Sequence, residues 1–355
     1  VLRTARPWLA SVLALALLGA APSPPPVALD VLLAETPAQK LSDYRLFTDY
    51  RGRVPNVRLT PYALNTPLFT DYAEKFRFAY LPPGTQARYR ADGVFEFPVG
   101  ATLVKTFAYP ADLRRPDQDV RYLETRLLIR KAEGWVALAY VWNAEQTEAV
   151  LKRAGARLNV VFTDAQGRRR DLDYAVPNQN QCKECHQLDE QLTPIGPKAG
   201  HLNGRFAYPE GTENQLVHWT RRGLLAGAPD PAAAPRTAHW DDPAEPLEAR
   251  ARAYLDANCG HCHSPRAVAS NSGLFLDLKE DRPAALGIGK SPVAAGRGSG
   301  GLKVGIEPGD PDASILVYRM ASDEPGVMMP ELGRSVTHDE GVDLIRRWIA
   351  AMDRR

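Results

Sequence analysis

Cysteine is scarce in this chain, with four in 355 residues. All four lie in two short strings, so none is left for a disulfide framework. An excess of charge of either sign is also missing. Lys and Arg number 44 against 42 Asp and Glu, a formal net charge of +2, and that balance gives no reason to expect a nucleic-acid partner. Beyond Ala21 no apolar run is long enough to span a bilayer. Methionine is as rare as cysteine: Met320, Met328, Met329 and Met352 all fall near the C-terminal end.

The cysteine strings are Cys182-Lys183-Glu184-Cys185-His186 and Cys259-Gly260-His261-Cys262-His263. Each reads C-x-x-C-H, the attachment pattern of c-type haem. The thiols form thioethers with the haem, and the adjoining His offers its imidazole to the iron. A zinc ribbon places its two halves roughly 15–20 residues apart, whereas 73 residues separate Cys185 from Cys259. A thioredoxin-like redox pair has no use for a following His. The strings therefore predict two covalently attached haem c groups, held by Cys182, Cys185, Cys259 and Cys262, with His186 and His263 as proximal iron ligands.

The opening segment reads as a secretory signal over residues 1–29. Arg3 and Arg6 form a basic region, and Trp8 to Ala21 is an apolar stretch too short for a comfortable transmembrane helix. An uncleaved N-terminal anchor is the alternative and would be the sole membrane contact. Losing Arg3 and Arg6 would bring the formal charge to neutrality before haem is counted. Export to the periplasm agrees with the haem reading, since c-type haem is attached outside the bacterial inner membrane.

The rest divides into three parts. Residues 30–176 carry short alternating or aromatic runs at 76–81, 94–97, 102–109, 122–130, 135–142 and 158–163. Turn signals separate them at Pro82-Pro83-Gly84, Asp92-Gly93, Glu133-Gly134 and Gln166-Gly167. Strands at this spacing suggest a sandwich or small barrel, with one helix expected near Ala144–Ala154 on propensity. Residues 177–245 are read as the first haem module. There the Gly196-Pro197 carbonyl is expected to accept the Nδ1–H of His186, and Thr212-x-x-Gln215 predicts a helix reaching about Leu225. Five prolines between Pro229 and Pro246 mark a stiff linker.

Residues 246–355 are read as the second haem module. A helix through Leu247, Ala251, Tyr254 and Leu255 leads into Cys259. Asp310-Pro311 starts another helix. Thr337-x-x-Glu340 opens a last helix with Val342, Ile345, Ile349 and Met352 on its apolar face. The expected fold is thus multidomain α+β: a β-rich, sandwich-like N-terminal domain followed by two small α-helical, cytochrome c-like haem modules. The run Gly296 to Gly301 lacks the Lys-Ser/Thr ending of a phosphate loop and is read as a surface loop.

The second iron ligand of each haem is less legible. For the second haem, Met329 before Pro330 is the candidate, with Met328 behind it; His/Met ligation raises the reduction potential. His261 is expected to point away from the iron. No methionine lies in the first module. His239 arrives where a distal ligand would, His201 falls toward the proximal side, and His218 falls on a face read as solvated. An open sixth site competes with His239, and an open iron binds small ligands where a filled one passes electrons. Trp219 and Trp240 lie between the strings and are read as core aromatics before bridges between haems.

The stretch Arg252 to His263, with Met329-Pro330 ahead of the closing helix, resembles the haem modules of many proteobacterial cytochromes. With Asn65 to Tyr72, Phe97 to Phe107 and Trp135 to Asn143, the whole chain resembles a family of exported di-haem c-type cytochromes with a β-rich front domain. That resemblance implies haem number and placement, and it leaves the substrate open. Three functions follow as expectations. The first is electron transfer with a redox protein partner or periplasmic oxidoreductase, with no nucleic acid involved. The second is a di-haem peroxidase or oxidase with an open first haem. The third is a binding module in which haem is a structural staple.

Overall fold

The computed structural model describes residues 25–50 and 54–353; the signal segment lies, as far as residue 24, outside the described residues. The architecture is built on a six-stranded antiparallel meander. Its strands are β1 (Leu59–Pro61), β2 (Glu74–Tyr80), β3 (Thr102–Tyr109), β4 (Arg121–Lys131), β5 (Gly134–Trp142) and β6 (Ala149–Leu151), hydrogen-bonded in chain order. The runs read at 76–81, 102–109, 122–130 and 135–142 fall on β2 to β5, strands rich in β-branched and aromatic residues. A hairpin follows, β7 (Ala156–Thr163) with β8 (Arg169–Val176). Its turn is closed by Asp164, which accepts the N–H groups of Gln166 at 3.0 Å and Arg168 at 2.8 Å.

Local expectations fail in two places. Ala144–Ala154 is a turn followed by β6, not a helix. Asn143 accepts the N–H groups of Thr147 at 2.9 Å and Glu148 at 3.2 Å, and Gln146 takes a φ of 59°. This side-chain turn offers the backbone a partner that helix propensity cannot match. The run at 94–97 makes isolated bridges only; Phe95 and Phe97 are buried without a ladder.

One face of the sheet, with Val104, Leu127, Ile129, Leu138 and Tyr140, packs against Tyr44 and Leu46 from the preceding segment. The other face is divided. At one end Ala79 and Leu103 pack with Leu202, Leu216 and Trp219 from later in the chain. At the other, Phe107 and Val141 pack with Phe162, Leu172 and Tyr174 of the hairpin. Between these two apolar clusters the face stays open to a cavity. The buried residues of 177–245 thus share a core with the sheet, while those around Leu255, Leu316, Leu344 and Trp348 form a separate one.

The C-terminal half does not consist of two small helical modules. The described residues hold seven α-helices, and the longest has 12 residues. They include α1 (Gln179–His186), α2 (Gln215–Arg221), α3 (Leu247–Leu255), α4 (Ile315–Ala321) and α5 (Asp339–Ala350), joined by long loops, two-residue strands and single turns. A β-rich fold suits only the front part, and there it is one sheet with a hairpin laid on it. The helix expected from Thr212 starts at Gln215, because Thr212 sits in a ribbon strand, Gly211–Asn214, and Asn214 caps the helix. Thr337 likewise does not cap α5: its hydroxyl donates to Ala321 O at 3.4 Å, and His338 holds the cap position without a side-chain bond. Asp310 caps a single turn at Pro311–Ala313 ahead of α4. No helix among the described residues is long and apolar enough to cross a membrane.

Candidate cofactor centre

The first string rides on α1, whose start is fixed by a reciprocal cap. Asn178 accepts the N–H groups of Asn180 and Gln181, and Gln181 Oε1 accepts the Asn178 N–H at 3.0 Å. Cys182 and Cys185, three positions apart, stand on one side of this helix with His186 beside them. His186 Nδ1 lies 3.1 Å from Thr193 O. The anchoring carbonyl is therefore that of Thr193, not of the Gly196-Pro197 pair; Pro197 O instead accepts the Phe95 N–H at 3.4 Å. A proton on Nδ1 leaves Nε2 as the free lone pair. Burial, with Lys105 nearby, pushes the imidazole down to about 3, so it is neutral at physiological pH.

The second string follows α3 through a wide turn at Asp256–Gly260. Asp256 accepts the Leu278 N–H at 3.0 Å, and Asn258 accepts that of Phe69 at 2.7 Å. His263 Nδ1 faces the Ser272 hydroxyl at 3.4 Å, and burial pushes this imidazole down to about 4. Both histidines that follow the cysteine pairs are thus held neutral, the form that binds a metal.

The two strings meet. Cys185 Sγ, a His261 ring nitrogen and Cys262 Sγ all lie within 4.8 Å of one another. A strap holds them: Arg266 and Asp189 pair through a two-pronged contact, and Asp189 N donates to Arg266 O at 3.0 Å. His261, expected to point away from the iron, belongs to this junction, and its Nδ1 has no hydrogen-bond partner among the described residues. As free thiols the two are coupled: hydrogen bonding with Cys262 pulls Cys185 down while Cys262 is itself pushed up.

A cavity flanks each string. The first, about 1910 Å³ including space open to solvent, is lined by Cys182, Cys185 and His186 on one side and by the open face of the sheet on the other. The second, about 1620 Å³ on the same measure, is lined by Cys259, Cys262 and His263 and walled by Leu276, Ile306 and Leu316. The two cavities share a wall that includes Cys185, Cys259, His261, Met320 and Met329. Paired sulfurs, a neutral imidazole beside them, and a mainly apolar cavity next to each pair are the donor set and surroundings that suit a covalently held haem.

Met329 thus faces both cavities, while Met328 lines neither. His239 also lines neither cavity; it is half-buried, and its carbonyl accepts the Asp242 N–H at 3.3 Å. His201 does line the first cavity, with Nε2 3.6 Å from Asp256. His218 is buried rather than solvated, stacked on Tyr208 at 3.4 Å and paired with Glu213 at 2.9 Å. Trp219 belongs to the sheet core and Trp240 packs on Tyr254; neither faces a cavity at the strings.

Sequence reasoning missed two sets of residues here. His338 lines the first cavity, stacked on Phe69 at 4.1 Å with Nδ1 2.9 Å from Tyr254 Oη. Its place beside an assumed capping Thr hid it. Lys75, Arg77, Lys105 and Arg126 line the sheet wall of the same cavity. Burial and its Arg neighbours push the Lys105 ammonium down to about 7. The front-domain phrase Asn65 to Tyr72 also acquires a role, as the seam between the sheet and both later parts. Asn65 Nδ2 donates to Thr237 O at 2.9 Å, Thr66 Oγ1 to Ala238 O at 2.7 Å, and Tyr72 Oη to Glu340 at 2.9 Å. Gly204 passes so close to Asn65 that a Cβ there would meet its Oδ1.

No family model, no curated protein and no solved structure matches the chain.

Proposed function

We propose that the chain is an exported di-haem c-type cytochrome that passes electrons between redox partners in the periplasm. The observation that carries this reading is the junction of the two C-x-x-C-H strings, with Cys185 and Cys262 sulfurs within 4.8 Å. Groups anchored there would be held side by side. Haem supplies a one-electron Fe(III)/Fe(II) couple. Cys182 and Cys185 would hold one group and Cys259 and Cys262 the other, with His186 and His263 presenting neutral Nε2 atoms. Met329 offers a thioether whose softness favours reduced iron.

A second reading is a peroxidase or oxidase with an open first haem. Met329 borders both cavities but can serve one iron, so the first is left with His201, His338 or a small exogenous ligand.

The deciding experiment is expression of the full chain with a cytochrome maturation system, followed by intact mass, absorption and metal analysis. Two haems per chain are expected. Colourless protein of bare polypeptide mass would overturn the proposal, and zinc or copper bound in its place would assign Cys185, His261 and Cys262 to a metal ion. Two one-electron steps with a spectrum indifferent to cyanide support the carrier. A cyanide- or peroxide-dependent spectrum supports the enzyme.

A further inference from the structure

The open face of the sheet carries an arrangement that strands ordinarily avoid. Register pairs Arg77 on β2 with Lys105 on β3, and Lys105 with Arg126 on β4. Three cations therefore stand directly opposite one another across three adjacent strands, where like charges repel. Lys75, two residues from Arg77 on the same face, adds a fourth. The row lies between the two apolar clusters of that face, and all four side chains line the first cavity.

Only one of the four has a carboxylate partner among the described residues. Arg126 pairs with the fully buried Glu124 at 2.5 Å, and Glu124 is further held by the Tyr174 hydroxyl at 2.7 Å. Lys75 donates to Ala73 O at 3.0 Å and Arg77 to Lys75 O at 3.2 Å, both neutral acceptors. Lys105 has no hydrogen-bond or ion-pair partner among the described residues; its ammonium stands 5.0 Å from the centre of the Phe107 ring, which Arg126 also covers at 4.2 Å. One ring face is a weak partner for a cation. That is too little to offset the repulsion in a half-buried row where Arg77 faces Lys105 and burial already pushes Lys75 and Lys105 toward their neutral forms.

We propose that the Arg77–Lys105–Arg126 row, with Lys75, is a seat for carboxylate groups of a ligand in the first cavity. The remainder of that wall suits such a ligand: Leu103, Leu128 and Tyr62 border the cations with apolar surface, so the seat receives the anionic end of a largely apolar body or a small free carboxylate. Two sources share the chemistry, the propionates of a tetrapyrrole attached at Cys182 and Cys185, or a free carboxylic acid. The first source rests on the haem reading above; the second does not.

The test uses the full chain from the maturation system, as wild type, Lys105→Met and Arg77→Gln, with haem content read first by intact mass. Each protein is then examined by redox titration, by urea unfolding, and by calorimetric titration with citrate. Propionates on the row predict that both variants lower the potential of one haem, leave the other unchanged and lose stability, with no citrate binding by any protein. A free carboxylate predicts saturable citrate binding to wild type, weakened about tenfold in each variant. That arm is read equally well in a chain that attaches no haem, so failure of the haem reading and failure of the seat are distinct. Unchanged potentials, no citrate binding, and a Lys105→Met protein more stable than wild type through relief of repulsion would overturn the proposal.

Discussion

Asp71 accepts the backbone N–H of Ser335 through Oδ1 at 2.6 Å, and the same oxygen takes the Val336 N–H at 3.0 Å. One buried side chain from the sheet side thereby fixes the loop that carries Met329 toward the last helix. Asp71 holds this position from a left-handed backbone, φ 47°, which costs a non-glycine residue of order 1 kcal/mol or more. Asp71→Ala should leave two N–H groups without their acceptor and destabilise the fold by about 2–4 kcal/mol. Urea unfolding of the variant against wild type checks it. An unchanged midpoint would mean that the loop is held from elsewhere.

Acid should loosen the second string through Asp256. Burial pushes this carboxyl up, but Lys198, His201 and the Leu278 N–H together outweigh burial and bring it to about 2, below its ordinary 3.8. A depressed folded value means that the unfolded chain takes up the proton first. The stabilisation, about 2 kcal/mol, is therefore present above pH 4 and lost as pH falls toward 2. Asp256→Asn should flatten the dependence of the urea midpoint on pH in that window and leave higher pH alone.

His338 sets a different window. Burial against Phe69 and Tyr254 brings its imidazole down from 6.5 to about 4. The unfolded chain protonates first here too, so the native state loses about 3 kcal/mol as pH falls from 6.5 toward 4. His338→Phe keeps the stacking surface and removes the titration. Its urea midpoint should vary less than that of wild type between these values, and an identical slope would show that His338 is free to protonate in the native state.

These groups mark where sequence reading succeeds and where it stops. Strands such as Ala156–Thr163 were legible because burial of one face imposes a period of two, with Leu158, Val160 and Phe162 turned inward. The cysteine pairs were legible because their chemistry is written within five consecutive positions. The junction of Cys185 with Cys262, and the row through Arg77, Lys105 and Arg126, depend on how distant segments are brought together. The helical modules failed for a related reason. Capping patterns at Thr212 and Thr337 look right locally, but Thr212 is taken by a ribbon and the Thr337 hydroxyl by the Ala321 carbonyl. Propensity near Ala144 was overridden by the turn that Asn143 closes.

Met329 is presented by a small polar frame that gives a last prediction. Its N–H donates to Arg319 O at 3.0 Å, and its carbonyl accepts from Arg334 Nε at 3.2 Å. The buried Arg334 guanidinium also donates to the carbonyls of Arg319 at 3.2 Å, Ser322 at 2.7 Å and Val336 at 3.3 Å. If Met329 supplies a thioether to one iron, Met329→Ala should lower the potential of one haem and abolish the optical signature of sulfur ligation, while Met328→Ala changes neither. Arg334→Met should act as a positioning change, weakening that signature and lowering the same potential by less, because the loop loses the donor that gathers its carbonyls. Equal behaviour of the Met328 and Met329 variants would remove Met329 from the ligand set.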